Sequence, residues 1–428
     1  MKKKILLVFV VMALVMGIFA SSGVLAANDS KVLKILSIWP ESRDNGKLIT
    51  DITDRYIKEV NPDFKYEYEL VSADNLTQKI SVLMASGDLP DVFVYESGTP
   101  IRALIVGDKV LNVGAALKEI GAMDDLEKGA VSLLKSLSRT DDLYDLPLGL
   151  NVEGFWYNKG LFEKVGVEVP TTWDEFLEVC EEFKEAGIQP LTAGGADKWP
   201  LTRLINAYVY RSAGKDIMDK AASGEIKYTD PRLVKAAQMV ADMGEKGYFG
   251  KGITTVGQGT AGDMLLAGRA AMFYNGSWFT EALVADTNPA GEDGIGFFSV
   301  PVVDPEISPI TEYPMNCGNI LALSKDKYDQ ETADWLKYFV SHIGDYAMEK
   351  FGAVKGYKYT VKGELSIPSQ IVADALSEVT ASTKWFEASM GVQTSSVAQD
   401  AVQLLVNGEM TAEEYMQAIQ DAYDMSQF

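Results

Sequence analysis

The chain has 428 residues, with 39 Lys and Arg against 61 Asp and Glu, a net charge of −22. A surface of that sign repels nucleic acid and anionic lipid headgroups, so neither is expected as a partner, and the length provides two or three domains with ample core. One histidine and two cysteines, Cys180 and Cys317, exclude a thiolate or imidazole zinc site and a disulfide framework, and both thiols are read as free.

In chain order, Lys2, Lys3 and Lys4 precede an uncharged, mostly apolar run that reaches the small residues around Val24, Leu25 and Ala26. This pattern predicts a secretory signal peptide over residues 1–26 and therefore an exported protein, periplasmic or extracellular. No cysteine follows the run, so no lipid-attachment residue is expected. Residues 32–38 read as a strand closed by Trp39-Pro40, 48–60 as a helix, 64–71 as a strand, 75–85 as a helix and 91–95 as a short buried strand. That β-α-β-α order predicts an α/β fold, a mostly parallel sheet with helices on both faces.

Residues 141–147 read as a crossing segment, and 155–158 as a strand. Thr172 with Glu175 three positions on is a capping box opening a helix to Ala186. A loop over 193–197 leads to Trp199-Pro200 and another helix, and residues 231–243 are amphipathic. Helical spacing over 263–267 stops at Gly268, a strand follows over 270–274, and Asn275-Gly276 predicts a turn that places Trp278 in the first turn of the next helix. Strands are expected over 295–302 and 319–323, a helix over 330–340, and mostly helix beyond 370.

Enzyme and cofactor signatures are sparse. A Ser-His-Asp triad would need His342 itself, and no G-x-S-x-G elbow accompanies any serine. Gly257-x-Gly259-x-x-Gly262 follows a Gly-, Lys- and Thr-rich stretch rather than a buried strand, so it reads as a loop, and no P-loop occurs. No cofactor and no metal are expected. What stands out is aromatic residues at strand ends and loops, Trp39, Tyr95, Trp199 and Trp278, with Trp385 in a late polar region. Amides and carboxylates lie nearby in sequence: Glu41, Asp91, Glu96, Asn151, Glu153, Asp197, Asn275, Asn316 and Asn319. Rings for stacking beside bidentate polar partners suit a sugar. One ring covering ~100 Å² contributes about 2.5 kcal/mol, against the about 8 kcal/mol a micromolar site needs. A core role fits any single one of these tryptophans as well.

Four stretches carry a wider likeness: Ala85 through Pro90-Asp91 to Phe93, Trp156-Tyr157-Asn158-Lys159, Val169-Pro170-Thr171-Thr172-Trp173, and Gly268-Arg269-Ala270-Ala271-Met272 running to Trp278. With them the chain resembles the extracellular sugar-binding proteins of ATP-binding-cassette importers, the family that includes maltose-binding protein. The resemblance implies a two-lobed periplasmic-binding-protein fold (type II), with hinge crossings and a ligand clamped by closure. It implies a first lobe over 28–150 and 303–350, and a second over 151–302 and 351–428. It directs ligand contacts to Trp39, Glu41 and Ser42, Tyr95, Asn151 or Glu153, Asp197 and Trp199, Trp278, Trp385 and the loop 316–319. It further implies a monomeric, non-enzymatic protein whose partners are a carbohydrate and the permease subunits of a transporter. The competing expectations are a secreted carbohydrate-active enzyme using paired carboxylates, and a binder of another small polar solute.

Overall fold

Alternating β and α segments at the start of the chain build one sheet, and the middle of the chain builds another. The computed structural model describes residues 31–42, 44–361 and 365–427; the leader read at residues 1–26 lies outside them. Among the described residues the strands are, in chain order, β1 (Val32–Ser37), β2 (Lys65–Leu70), β3 (Val92–Glu96), β4 (Leu146–Pro147), β5 (Asn151–Asn158), β6 (Gln189–Thr192), β7 (Ala270–Gly276), β8 (Ile295–Phe298), β9 (Glu312–Asn316), β10 (Asn319–Leu323) and β11 (Ala381–Thr383). The first sheet has the order β2-β1-β3-β10-β4, and the second β11-β9-β5-β7-β6 with β8 beside β5.

The expected parallel pairing holds for β1 with β2 and β3, for β6 with β7 and for β9 with β11. Both sheets are nonetheless mixed, because β10 runs antiparallel to β3 and β4, and β5 antiparallel to β7, β8 and β9. The cause is chain length between strands. Only Cys317 and Gly318 separate β9 from β10, whereas a parallel neighbour in the same sheet needs a crossover of a dozen residues or more. A strand arriving from the other sheet over so short a link enters where β3 ends and runs back along it.

Each sheet carries its own core. Leu36, Ile49, Phe93, Trp335 and Phe339 are buried in the first, and Phe155, Phe176, Leu204, Val240 and Tyr415 in the second. Cys317 lies in the first core and Cys180 in the second, both free. The chain passes between the sheets at 147–151 and at 316–319, then leaves the first core again before the helix Ile367–Glu378, which packs beside the second sheet.

Three expectations are corrected. Residues 303–316, assigned from the resemblance to the first lobe, join the second, since β9 pairs with β5 and β11. Residues 351–361, assigned to the second lobe, return to the first, where Tyr357 is buried and bridges Leu126. Asn275-Gly276 is not a turn but the end of β7. Pairing of Glu153 with Gly276 carries the strand through the dipeptide, and the turn starts at Ser277.

The 303–316 segment is held by Arg211, which is fully buried. Its guanidinium donates to Ser308 Oγ at 3.0 Å, Ser299 Oγ at 3.0 Å, the Ile310 carbonyl at 3.2 Å and the Pro309 carbonyl. Lysine cannot reproduce this planar fork and would leave buried carbonyls without donors. Arg211→Lys is expected to destabilise the protein by about 2–3 kcal/mol, seen as a lower urea midpoint; an unchanged midpoint would sink the anchoring role.

Candidate functional site

The strand directions bring two sheet edges together. β1 and β3 are parallel, so their carboxyl ends share one edge of the first sheet, and antiparallel β10 begins at that edge with Asn319 opposite Glu96. In the second sheet β6 and β7 end together. Antiparallel β5 starts at that same edge, with Glu153 opposite Gly276 and Asn151 opposite Asn316. The link 316–319 joins the two edges. Carboxyl ends of strands are where open α/β sheets bind ligands.

The helix Trp199–Ala213 lies against the second edge, and its residues 199, 202, 203 and 206 share one face by helical spacing. The backbone enters this helix through Lys198 at φ 65° and ψ −55°. That left-handed γ-turn geometry costs roughly 1–3 kcal/mol for a non-glycine residue and sets where Trp199 starts. Trp199 packs edge-on against Trp278, ring centroids 6.1 Å apart at 62°. The Arg203 guanidinium lies over the Trp199 ring at 5.2 Å and over the Trp385 ring at 5.2 Å. The tryptophans at 199 and 385 therefore cover one guanidinium, and Trp278 joins them through Trp199. Trp278 stays 36% exposed.

Two buried carboxylates hold Arg203. Its Nη1 pairs with Glu153, and Nε stands 4.0 Å from Glu387. Burial works against the guanidinium charge, but Glu153 and Glu387 more than offset it and raise its pKa. Glu153 also accepts from Asn316 Nδ2 at 2.6 Å and Tyr274 OH at 3.2 Å. Asn316 in turn accepts from Asn151 Nδ2 at 3.1 Å, and Asn151 accepts from Ser277 Oγ at 3.1 Å. Glu387 accepts from the Thr202 hydroxyl. Burial raises the Glu387 carboxyl, while Arg203 and that hydroxyl pull it down.

Glu96 faces this cluster from the first sheet. Its side chain reaches solvent yet has protein on most sides; that burial raises its carboxyl above the ordinary glutamate range, and Arg203 offsets part of the rise.

The remaining predicted residues divide. Asn319 sits beside Glu96. Asp197 is exposed and accepts from Gln258 N at 2.6 Å, tying its loop to the helix Gln258–Leu266, and Asn275 is buried with its oxygen taken by Gln258 Nε2 and Gly276 N. Trp39, Glu41 and Ser42 follow β1 at the cleft edge; Trp39 packs on the first core and its carbonyl accepts from Tyr68 OH at 2.9 Å. Two residues lie elsewhere. Asp91 precedes β3, at the opposite edge, where it pairs with Lys31 at 2.9 Å and accepts from Lys34 N at 3.0 Å. Tyr95 is buried in the first core, its phenol pushed up to about 12 by burial. β3 is buried on both faces at Phe93, Val94 and Tyr95, so its sequence gives no sign of which side meets the cleft. Sequence reasoning missed Arg203, Thr202, Glu387 and Tyr274. The spacing of Trp199, Thr202, Arg203 and Asn206 on one face of the helix was the available signal for Arg203 and Thr202.

Among known proteins, the family model described as bacterial extracellular solute-binding protein matches residues 39–344, and the chain belongs to that family. It is 28% identical over 269 residues to an uncharacterized ABC transporter extracellular-binding protein of Pyrococcus horikoshii, spanning 62% of this chain and 61% of that relative's length. It is 26% identical over 335 residues to the multiple sugar-binding protein of Streptococcus mutans, spanning 72% and 73% of the two chains. In fold it is similar to a chitin oligosaccharide binding protein, with a TM-score of 0.83 at 24% identity over 93% of this chain and 99% of that one.

Gly276 sets the orientation of Trp278. Its backbone, φ −91° and ψ 175°, suits any residue, but a Cβ would overlap the indole, which lies flat over it. Gly276→Ala is expected to swing Trp278 away from Trp199, shifting tryptophan emission while far-UV circular dichroism stays unchanged. An unaltered emission spectrum would show that the ring is not held there.

Proposed function

We propose that this protein is the extracytoplasmic receptor of an ABC transporter, capturing a sugar, an oligosaccharide by preference, between its lobes and delivering it to the membrane permease. The observation that carries the reading is the cluster in which Trp199 and Trp385 cover Arg203 and Trp278 packs on Trp199. Exposed indole gives a sugar's C–H face an apolar platform, and Glu96, Asn319 and the Asn151–Asn316 amides offer partners for hydroxyls. Family membership and the sugar-binding names of several relatives support the same solute class. The lobes are proposed to close on the ligand by bending at 147–151 and 316–319, and the first lobe to comprise 31–150 and 317–361. The protein acts as an exported monomer without catalysis. Glu153 and Glu387 are committed to Arg203, and a carboxyl tied to a guanidinium makes a poor acid catalyst. Incubation with oligosaccharides is expected to release no cleavage products; turnover would favour the enzyme reading.

Calorimetric titration against gluco-, galacto-, xylo- and chito-oligosaccharides tests the reading, with a Kd in the micromolar range or below expected for one class. Flat titrations across all four, with a response to another solute, would overturn the sugar assignment. For the sugar that binds, Trp278→Ala is expected to weaken affinity by about 10–100-fold, since ~100 Å² of lost stacking is worth about 2.5 kcal/mol.

Affinity is also expected to depend on pH. An ionised Glu96 accepts hydroxyl hydrogen bonds that its protonated form accepts less well. Burial, partly offset by Arg203, raises its pKa, so binding is full above that value and falls as pH drops through it, at a pH above that of an ordinary glutamate. Glu96→Gln is expected to flatten this profile; a profile unchanged in the variant would remove Glu96 from the site.

A further inference from the structure

The charges in the cleft do not balance. Among the described residues, Glu153 and Glu387 flank the guanidinium of Arg203, and a third carboxylate, Glu96, ends β3 at the edge of the first sheet opposite Asn319. We propose that this imbalance makes the cleft a charge filter, admitting uncharged sugars and turning away those bearing a carboxylate, sulfate or phosphate. The inference rests on the sugar reading above and narrows it.

The opposite reading gives Arg203 the task of gripping an acidic ligand, as guanidinium groups often do. Its surroundings argue against that. The side chain is only 12% exposed, and indoles cover it at 5.2 Å from two directions. Its Nη1 is taken by Glu153, and its buried Nε, which has no hydrogen-bond partner, stands 4.0 Å from Glu387. An incoming carboxylate would have to displace Glu153, which is 1% exposed and tied in place by Asn316 and Tyr274. Displacement would leave a buried charge unpaired, among the costliest changes a site can undergo. The guanidinium charge is therefore met by the protein's own acids before any ligand arrives.

Among the described residues, the lysines next to these tryptophans in the chain do not make up the difference. Lys198, next to Trp199, pairs with Asp400 at 2.6 Å, and Lys384, next to Trp385, pairs with Asp219 at 3.2 Å. Arg139 reaches Asp219 as well, at 3.5 Å. On the facing edge stands Glu96, open to solvent, whose electrostatic neighbour in the cleft is Arg203. A carboxylate in that position welcomes hydroxyl and amide N–H groups, which it accepts in pairs, and repels an anion. Charges confined between two protein walls are screened less than charges on an open surface. The chain's net charge of −22 adds repulsion of the same sign at longer range.

The test uses matched probes on the full-length mature protein. Gluco-, galacto- and chito-oligosaccharides of two to four units are each titrated beside the same chain with one C6 hydroxymethyl oxidised to a carboxylate, and xylo-oligosaccharides beside the same chain bearing one glucuronic acid branch, at low salt and at high salt. The neutral form is expected to bind at least tenfold more tightly than its acidic counterpart at low salt, about 1.4 kcal/mol. Raising the salt should narrow the gap, because screening shortens the reach of the repulsion. Glu96→Gln should narrow it too, weakening the neutral sugar while helping the acidic one. An acidic probe that binds as tightly as its neutral partner, or more tightly, overturns the filter and leaves the sugar reading standing. A gap indifferent both to salt and to Glu96→Gln also overturns it, since the rejection is then one of shape. If neither form of any probe binds, the sugar reading itself fails and takes the filter with it.

Discussion

The cleft depends on one buried ionic constellation, a guanidinium covered by two indoles and fixed at its edge by two carboxylates. Taking Arg203 out of water alone would cost several kcal/mol, and the same holds for Glu153 and Glu387. Together they are tolerable, because each charge meets its opposite and the remaining oxygens meet Tyr274, Asn316 and Thr202. Removing one member strands the others, so the arrangement persists only as a whole. That all-or-none character is what makes Trp199 and Trp385 rigid platforms, since each ring is pinned against a group that has no other place to go.

The same hydrogen bonds reach the crossings between the lobes. Asn316 donates to Glu153 and accepts from both Asn151 and the backbone N–H of Gly318. Asn151 opens β5 and Asn316 closes β9, so the residues that hold the floor of the cleft are those through which the chain changes sheets. Gly318, at φ +66°, supplies the left-handed residue that lets two positions turn one strand into the other. A change in the floor therefore cannot be separated from a change at the link.

Legibility in the sequence followed the range of the information. Trp199 and Trp278 were readable because each is a large aromatic just past a loop or a strand end in the local sequence, and strand ends are where such sheets bind ligands. Glu153 and Asn151 came from motif position alone. Arg203 and Glu387 were hidden, because their meaning arises only when residues 184 positions apart meet, and a charged residue on a helix reads as a solvated face until its partner is seen. Tyr95 was misplaced because a strand buried on both faces has no alternation to orient it, and Asp91 because a Pro-Asp pair before a strand marks the start of that strand rather than its working end. The lobe limits erred at β9, a strand whose sheet is fixed by distant pairing with β5 and β11 and not by its own residues.

The segment 385–390 is the least conventional part of the design. Trp385 and Ala388 pack on the first core, whereas Phe386 and Met390 are buried in the second. Thr99 and Arg139 of the first lobe donate to the carbonyls of Ala388 and Ser389, at 3.4 Å each. Six residues thus strap one lobe to the other, and they carry both Trp385 and Glu387. A rotation of the lobes has to shear this strap, and in doing so it moves an indole and a carboxylate relative to Arg203, which is fixed on the helix Trp199–Ala213. Lobe position and the quality of the Arg203 cage are therefore coupled without any long-range pathway.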